Sequence, residues 1–322
     1  MTHGRLVHFY FNPSNQWERW DVSEQAGDWT VLGDPSVSPD GRSVFLRRQD
    51  NHLAHFFFNA DNQWEQWDIT EQAGGWTVAG DPVLSPDGRS VFVRRDNNHL
   101  ISFHFNADSQ WEQWDVTEQA GGWTVAGEAA FSADGRSVFV RREDNHLIRF
   151  HFNADNQWEQ WDVTQQAGDW TVIGNPAVSP DGRNVFVRRH DKHLVQFHFN
   201  ADDQWEQWDV SAQAAGWMVT GNPFVSPDVR GVFARRADNH LVHFYFNADG
   251  RWEPWDITHQ TGGWTVIGDP VLSPDGRGVF VRQPSRSRRE TIPHKPAATP
   301  RRNKQPAGVA EQDWRYLLGH NQ

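Results

Sequence analysis

The sequence predicts an all-β fold: a six-bladed β-propeller of four-stranded blades, closed by strands from the two ends of the chain. Three observations predict it. A 47-residue unit occurs six times without insertion or deletion, beginning at Arg5, His52, His99, His146, His193 and His240. Each copy holds four short strand-like runs parted by turn residues, which is the make-up of a propeller blade. The chain also enters and leaves the repeat out of step with a blade. The C-terminal strand pair and the N-terminal pair therefore complete one blade between them and leave no long free edge. A solenoid built from the same unit would need polar caps at both ends, and the sequence has none.

The second copy illustrates the elements in order. Leu53–Phe58 alternates a mixed face with the wholly apolar face of Ala54, Phe56 and Phe58, as a strand with one deeply buried side does. Asn59-Ala60-Asp61-Asn62 is a turn, and Gln63–Ile69 is the next strand. A Gly-rich loop leads past Trp76 to a short strand over roughly Pro82–Ser85. Pro86-Asp87-Gly88 then turns the chain into Ser90–Arg95, with Pro setting one backbone angle and Gly relieving the next.

Only 37% of the residues are apolar while 13% are aromatic, so Trp and Phe must build most of the core. Eighteen of the nineteen Trp stand at three fixed places per copy, and Trp314 alone lies outside. The net charge is −12; residues 284–322 carry eight Lys/Arg against three Asp/Glu, a net +5 that leaves −17 on the rest. A surface that acidic disfavours nucleic-acid binding by the repeats. With no cysteine, disulfide frameworks and Cys-based metal sites are excluded. Met1–Arg5 enters the first repeat with no apolar signal core, so the expectation is a cytoplasmic protein or export by a non-classical route. No stretch approaches membrane-spanning length. Two regions result: residues 1–283 as the propeller, and residues 284–322 as a basic, Pro-rich tail read as disordered, with a protein partner or an anionic surface as its alternative role.

Some polar residues persist in all six copies beside a strand position that varies freely: His8, His55, Ser102, Arg149, Gln196 and His243. Asp21 and its equivalents follow a Trp and read as caps on the next turn. Arg42 and its equivalents read as turn residues paired to a carboxylate. The His that opens each later copy reads as a surface residue, since one His per blade stands far from its counterparts. Arg47 and Arg48 lie on opposite faces of their strand, so one Arg of each such pair points to the packed side or into a cleft between blades. An Arg beside Trp faces suits a saccharide, with the guanidinium donating to vicinal hydroxyls and the indole stacking on the ring. Cation–π packing that joins blade to blade accounts for the same residues equally well. No nucleophile elbow, HExxH, P-loop or dinucleotide fingerprint occurs. The departures Ala133, Val229, Met218 and Glu128 add no new chemistry, so the chain reads as a non-enzyme without catalytic residues, metal or cofactor.

The run Val-Phe-Val-Arg-Arg-x-Asp-Asn-His-Leu, followed by a Trp strand, Asp-Val-Thr and a Gly-rich loop, resembles the β-propeller lectins of the fungal-type fucose-specific class and related bacterial propeller lectins. The resemblance covers all six copies, to about Gln283. It implies a multivalent carbohydrate-binding propeller with up to six sites between blades, which take glycans or glycoconjugates. The sugar-binding Arg would fall at Arg47, Arg94, Arg141, Arg188, Arg235 and Arg282. The Trp that stack would be Trp20, Trp67, Trp114, Trp161, Trp208 and Trp255, with Trp29, Trp76, Trp123, Trp170, Trp217 and Trp264. Fucose-binding members carry a Glu where this chain has the varying His8/His55/Ser102 position, so the resemblance does not extend to fucose. The Ser-Pro-Asp-Gly-Arg turn resembles that of TolB-like propellers, which implies the alternative of a non-catalytic protein-interaction scaffold.

Overall fold

The computed structural model describes residues 4–11, 14, 16–272 and 278–282. One unit, Met1–Pro284, holds every described element. The readings made for residues 284–322 and for Trp314 lie outside the described residues.

Five blades are continuous four-stranded antiparallel sheets. Blade 1 runs Val31–Val37, Ser43–Arg48, Leu53–Phe58 and Trp64–Asp68 from its inner strand to its outer one. Blades 2 to 5 repeat it and end on the outer strands Trp111–Asp115, Trp158–Asp162, Trp205–Asp209 and Trp252–Asp256. The sixth blade takes its inner strands, Ile267–Leu272 and Val279–Arg282, from the C-terminal side, and its outer strands, Val7–Phe11 and Trp17–Asp21, from the N-terminal side. The fold is a six-bladed β-propeller. No helix among the described residues is long and apolar enough to cross a membrane.

Each blade packs on the next through the two faces of its sheet. Phe45 and Leu53 of blade 1 join Val91, Val93, Ile101, Phe103 and Trp111 of blade 2 in one buried cluster. The indole of Trp111 meets Phe45 edge-on at 6.0 Å, and the same contact recurs as Phe92–Trp158, Phe139–Trp205 and Phe186–Trp252. Edge-to-face geometry suits the ring quadrupoles, and removing one such buried aromatic costs about 3–5 kcal/mol.

The N-terminal hairpin occupies the place of a blade before blade 1. The N–H of Val31 donates to the Gly4 carbonyl, as that of Val78 does to Asn51 and that of Val125 to Asn98. The two halves of the sixth blade stand as separate two-stranded sheets among the described residues. Side chains along that seam are open to solvent: Phe9 is 62% exposed and Phe280 67%, against 0% for Phe56 and 1% for Phe45 at the same repeat positions.

Two local features differ from the expectation. The loop after each outer strand begins with one helical turn, such as Ile69–Ala73. Asp68 caps it by accepting the Glu71 N–H, and Thr70 Oγ1 accepts the buried Leu53 N–H at 2.9 Å. The cap read for Asp21 and its equivalents is thus present, on a helix instead of a turn. Arg42 pairs with backbone, not a carboxylate: its guanidinium donates to the carbonyls of Phe58 and Asn59. Main-chain carbonyls lie within reach there because the turn folds back over the end of the neighbouring strand.

Candidate functional site

Strand register places three residues of each blade in one rung facing the next blade. In blade 1 the rung is Phe45–His55–Trp67, and in blade 2 it is Phe92–Ser102–Trp114. Blades 3, 4 and 5 give Phe139–Arg149–Trp161, Phe186–Gln196–Trp208 and Phe233–His243–Trp255. The Phe and Trp are constant, and the freely varying position lies between them. Its side chain decides how full each cleft is.

His55 fills the cleft between blades 1 and 2. It stacks flat on Phe45 at 4.5 Å and meets Trp67 edge-on. The ring is 6% exposed and neither nitrogen has a hydrogen-bond partner. Burial pushes its pKa down to about 4, which keeps it neutral. Arg149 fills the cleft between blades 3 and 4, with its guanidinium 5.0 Å from the centre of Trp161 and donating to Ser137 and His151. Burial lowers its pKa, since no carboxylate pairs with it directly. Gln196 closes the next cleft on Asn184 at 2.7 Å. His243 stacks on Phe233 at 4.2 Å beside a smaller hollow of about 230 Å³.

Ser102 fills nothing. Between blades 2 and 3 it leaves a cavity of about 490 Å³, lined by Phe92, Ser102, His104 and Trp114 of blade 2 and by Asp134 and Trp158 of blade 3. That volume is in the range of small-molecule sites. Trp114 is 36% exposed, and His104 stacks on it at 5.3 Å while bonding Ser90 through Nδ1. Asp87 and Asp134 stand at the rim. Burial alone would raise both carboxyls, but the hydroxyls of Ser85 and Ser132 and the N–H groups of Arg89 and Arg136 outweigh it and hold them below the usual range. Those bonds all fall on Oδ1 of each carboxylate.

The sequence-predicted residues separate into three places. Trp67, Trp114, Trp161, Trp208 and Trp255 lie in the clefts, and Trp20 packs at 5.8 Å from His8 in the N-terminal hairpin. Trp29, Trp76, Trp123, Trp170 and Trp217 lie elsewhere, each beneath the second Arg of a pair: Arg48, Arg95, Arg142, Arg189 and Arg236 stand 4.1–4.8 Å from the ring centres. In blade 1, Trp29 and Arg48 also border an open groove of about 410 Å³ with Asp28 and Asp50. Trp264 is exposed. The residue that would cover it, Gln283, lies outside the described residues. Arg48, Arg142, Arg189 and Arg236 further pair with the capping Asp68, Asp162, Asp209 and Asp256 at 2.6–3.2 Å. The His opening each later copy shares that carboxylate, as in His52 Nδ1 to Asp68 at 2.7 Å. It is half-buried and fixed, where a free surface residue was expected.

The first Arg of each pair does not join the Trp. Arg47, Arg94, Arg141, Arg188 and Arg235 lie one rung further along the strand, opposite Leu53, Leu100, Leu147, Leu194 and Leu241. A rung is about 7 Å along the strand, and in blades 1, 2, 3 and 5 the guanidinium is held by an Asn four residues on. Among the described residues it is the second Arg of each pair, not this one, that lies over a Trp ring. These Arg approach the inner strands instead: a Cβ on Gly80 would lie 3.3 Å from that of Arg94, and Arg188 Nη2 would lie 3.7 Å from a Cβ on Gly174. Arg282 passes Gly268 in the same way.

Beside these Arg the inner strands are joined by a belt that the sequence reading missed. Asp34, Asp81, Glu128, Asn175, Asn222 and Asp269 occupy one repeat position. Asn222 donates through both its backbone and side chain to Asp269, Asn175 N–H donates to Asn222, and Glu128 N–H to Asn175. Burial, then the neighbouring Asp81 carboxyl, push Glu128 up to about 7. Burial likewise raises Asp81. The signal for the belt was present, since all six residues carry a short side-chain acceptor.

No family model and no curated protein matches the chain. Among solved structures it is similar to two Bacteroides proteins provisionally described as 6-phosphogluconolactonases. The one from Bacteroides uniformis is 14% identical with a TM-score of 0.51, covering 85% of this chain and 87% of that one. The one from Bacteroides fragilis is 13% identical with a TM-score of 0.52, covering 82% of each chain. The β-propeller domain of Cps50 (Swd1) from Myceliophteria thermophila is 10% identical with a TM-score of 0.52, covering 84% of this chain and 90% of that one. Likeness at this identity shows the β-propeller fold and nothing finer.

Proposed function

We propose that this propeller is a non-catalytic carbohydrate-binding protein whose principal site is the cleft between blades 2 and 3. The cavity left by Ser102 beside the exposed face of Trp114 carries this reading. An indole face takes the apolar side of a sugar ring, and an anionic carboxylate accepts its hydroxyls. Asp87 and Asp134 have Oδ2 to offer, because their internal bonds use Oδ1. The unequal clefts favour one principal site over six similar ones. The test is a glycan array with the full chain, then calorimetry with the best binder on the parent and on Trp114→Ala. Loss of binding in the variant supports the proposal; an array with no binder overturns it. Turnover of 6-phosphogluconolactone by the purified chain would overturn the non-catalytic part.

A second reading, a protein-interaction scaffold, is favoured by one observation. The inner strands of blades 3 to 5 enclose an apolar mouth of about 400 Å³ that includes Phe131, Pro176, Pro223 and Phe224. Phe224→Asp would abolish that function and leave sugar binding intact, whereas Trp114→Ala would do the reverse.

A further inference from the structure

Blade 4 breaks the repeat beside one of the inner Arg. Arg47, Arg94, Arg141 and Arg235 each donate from Nη1 to an Asn four residues on, at 2.7–3.1 Å. Those Asn, at 51, 98, 145 and 239, have left-handed backbones with φ of 64–70°, which Asn tolerates better than most residues. In blade 4 the position holds Lys192, at φ 72°. The exchange puts a residue ill-suited to that conformation in place of a well-suited one. It removes the acceptor of Arg188 and puts a positively charged residue on the loop that carried it.

The consequences at Arg188 are specific. Its guanidinium has no hydrogen bond or ion pair among the described residues; its Nε is buried without a partner as in Arg47, Arg141 and Arg235, so what blade 4 alone lacks is the acceptor for the Nη groups. Its pKa is lowered, by burial first, while Asp269 acts the other way and the nearby charge of Arg235 adds to the lowering. Asp269 is the nearby acid of the belt, and both its oxygens are taken by Asn222. A guanidinium holds five N–H donors in a planar fork, and those of Arg188 are unspent. The loop also carries His190 where other blades have Gln49, Asp96, Glu143 or Ala237. Asp191 of the same loop is engaged by Arg189, so no carboxylate among the described residues stands at bonding distance from Arg188.

We propose that Arg188, with the charge of Arg235 nearby, forms a binding site for a small oxyanion, phosphate or a phosphate monoester, at the inner edge of blades 4 and 5. Arg188 supplies a bidentate fork to two oxygens. A bound anion gives the guanidinium of Arg188 the acceptor that Asn gives to Nη1 in blades 1, 2, 3 and 5. This site is independent of the cleft between blades 2 and 3, so it can fail or stand without touching the sugar reading.

Calorimetry on the full chain, with inorganic phosphate in one arm and glycerol phosphate in the other, tests it against sodium chloride at equal ionic strength. The parent binds at least one of the two, and which arm responds tells a free anion from an ester. Lys192→Asn restores the repeat and suits the left-handed backbone, so it folds at least as well as the parent while losing affinity by about threefold or more. Arg188→Gln loses about tenfold or more. No heat beyond the chloride control in either arm, or a smaller loss in Lys192→Asn at undiminished melting temperature, overturns the site.

Discussion

The cleft between blades 1 and 2 and the cleft between blades 2 and 3 have the same Phe floor and the same Trp wall. Three positions separate them: His55, Phe57 and Pro86 at the first against Ser102, His104 and Ala133 at the second, with the exchange of His55 for Ser102 in the middle of the rung the largest loss of side chain. His55 gives up both of its hydrogen bonds to fill space between aromatic rings. Ser102 leaves that space as a cavity of about 490 Å³ with an indole face on its side. A propeller can thus keep one packing scheme throughout and still be made specific at a single cleft, because the middle of each rung can change in size while its Phe and Trp stay constant.

The largest expected effect contrasts the two walls. Trp114→Ala should weaken saccharide binding about a hundredfold, as the loss of a central aromatic anchor does, while Trp67→Ala in the filled cleft leaves it unchanged. Calorimetric titration of both variants checks this.

The filled cleft carries a pH signature that the open one lacks. His55 is held neutral, with a pKa near 4 against an ordinary value of 6.5. Its contribution is fully present above pH 6.5 and is lost as pH falls toward 4, because the unfolded chain takes up the proton first. The loss approaches roughly 3 kcal/mol at the acid end, and His55→Phe should remove that part of the acid sensitivity. Denaturant melts between pH 4 and pH 7 measure it, and an unchanged profile in the variant would contradict the buried, unpartnered ring.

A smaller effect of opposite sign belongs to the inner belt. Glu128 has its carboxyl raised from 4.5 to about 7, so its favourable protonated state is present at low pH and lost as pH rises through 7. Glu128→Gln should raise the melting temperature at pH 8 and change it little at pH 5. Thermal melts at the two values show whether the difference exists.

The fold was legible because a period needs no knowledge of contacts; of the three fixed Trp only the first of each later copy marks a buried position, as Trp64 and Trp111 do. The helical turn at Ile69–Ala73 was not, since one turn has no periodicity and is recognised only through the Asp68 cap. Strand parity put Arg47 and Arg48 on opposite faces but could not rank them. The ranking depends on Asn51, which accepts from Arg47, and on Trp29, which takes Arg48. The role of Ser102 was hidden for another reason. A small residue at a varying position reads as drift until the register sets it between Phe92 and Trp114.

The most direct test moves the cavity. Saccharide binding is titrated on the parent, on Ser102→His, and on the double variant Ser102→His with His55→Ser. The predicted result is binding in the parent, none in Ser102→His, and recovery in the double variant that depends on Trp67 in place of Trp114. Binding by Ser102→His at the parent's affinity would contradict the claim that this one position opens the site.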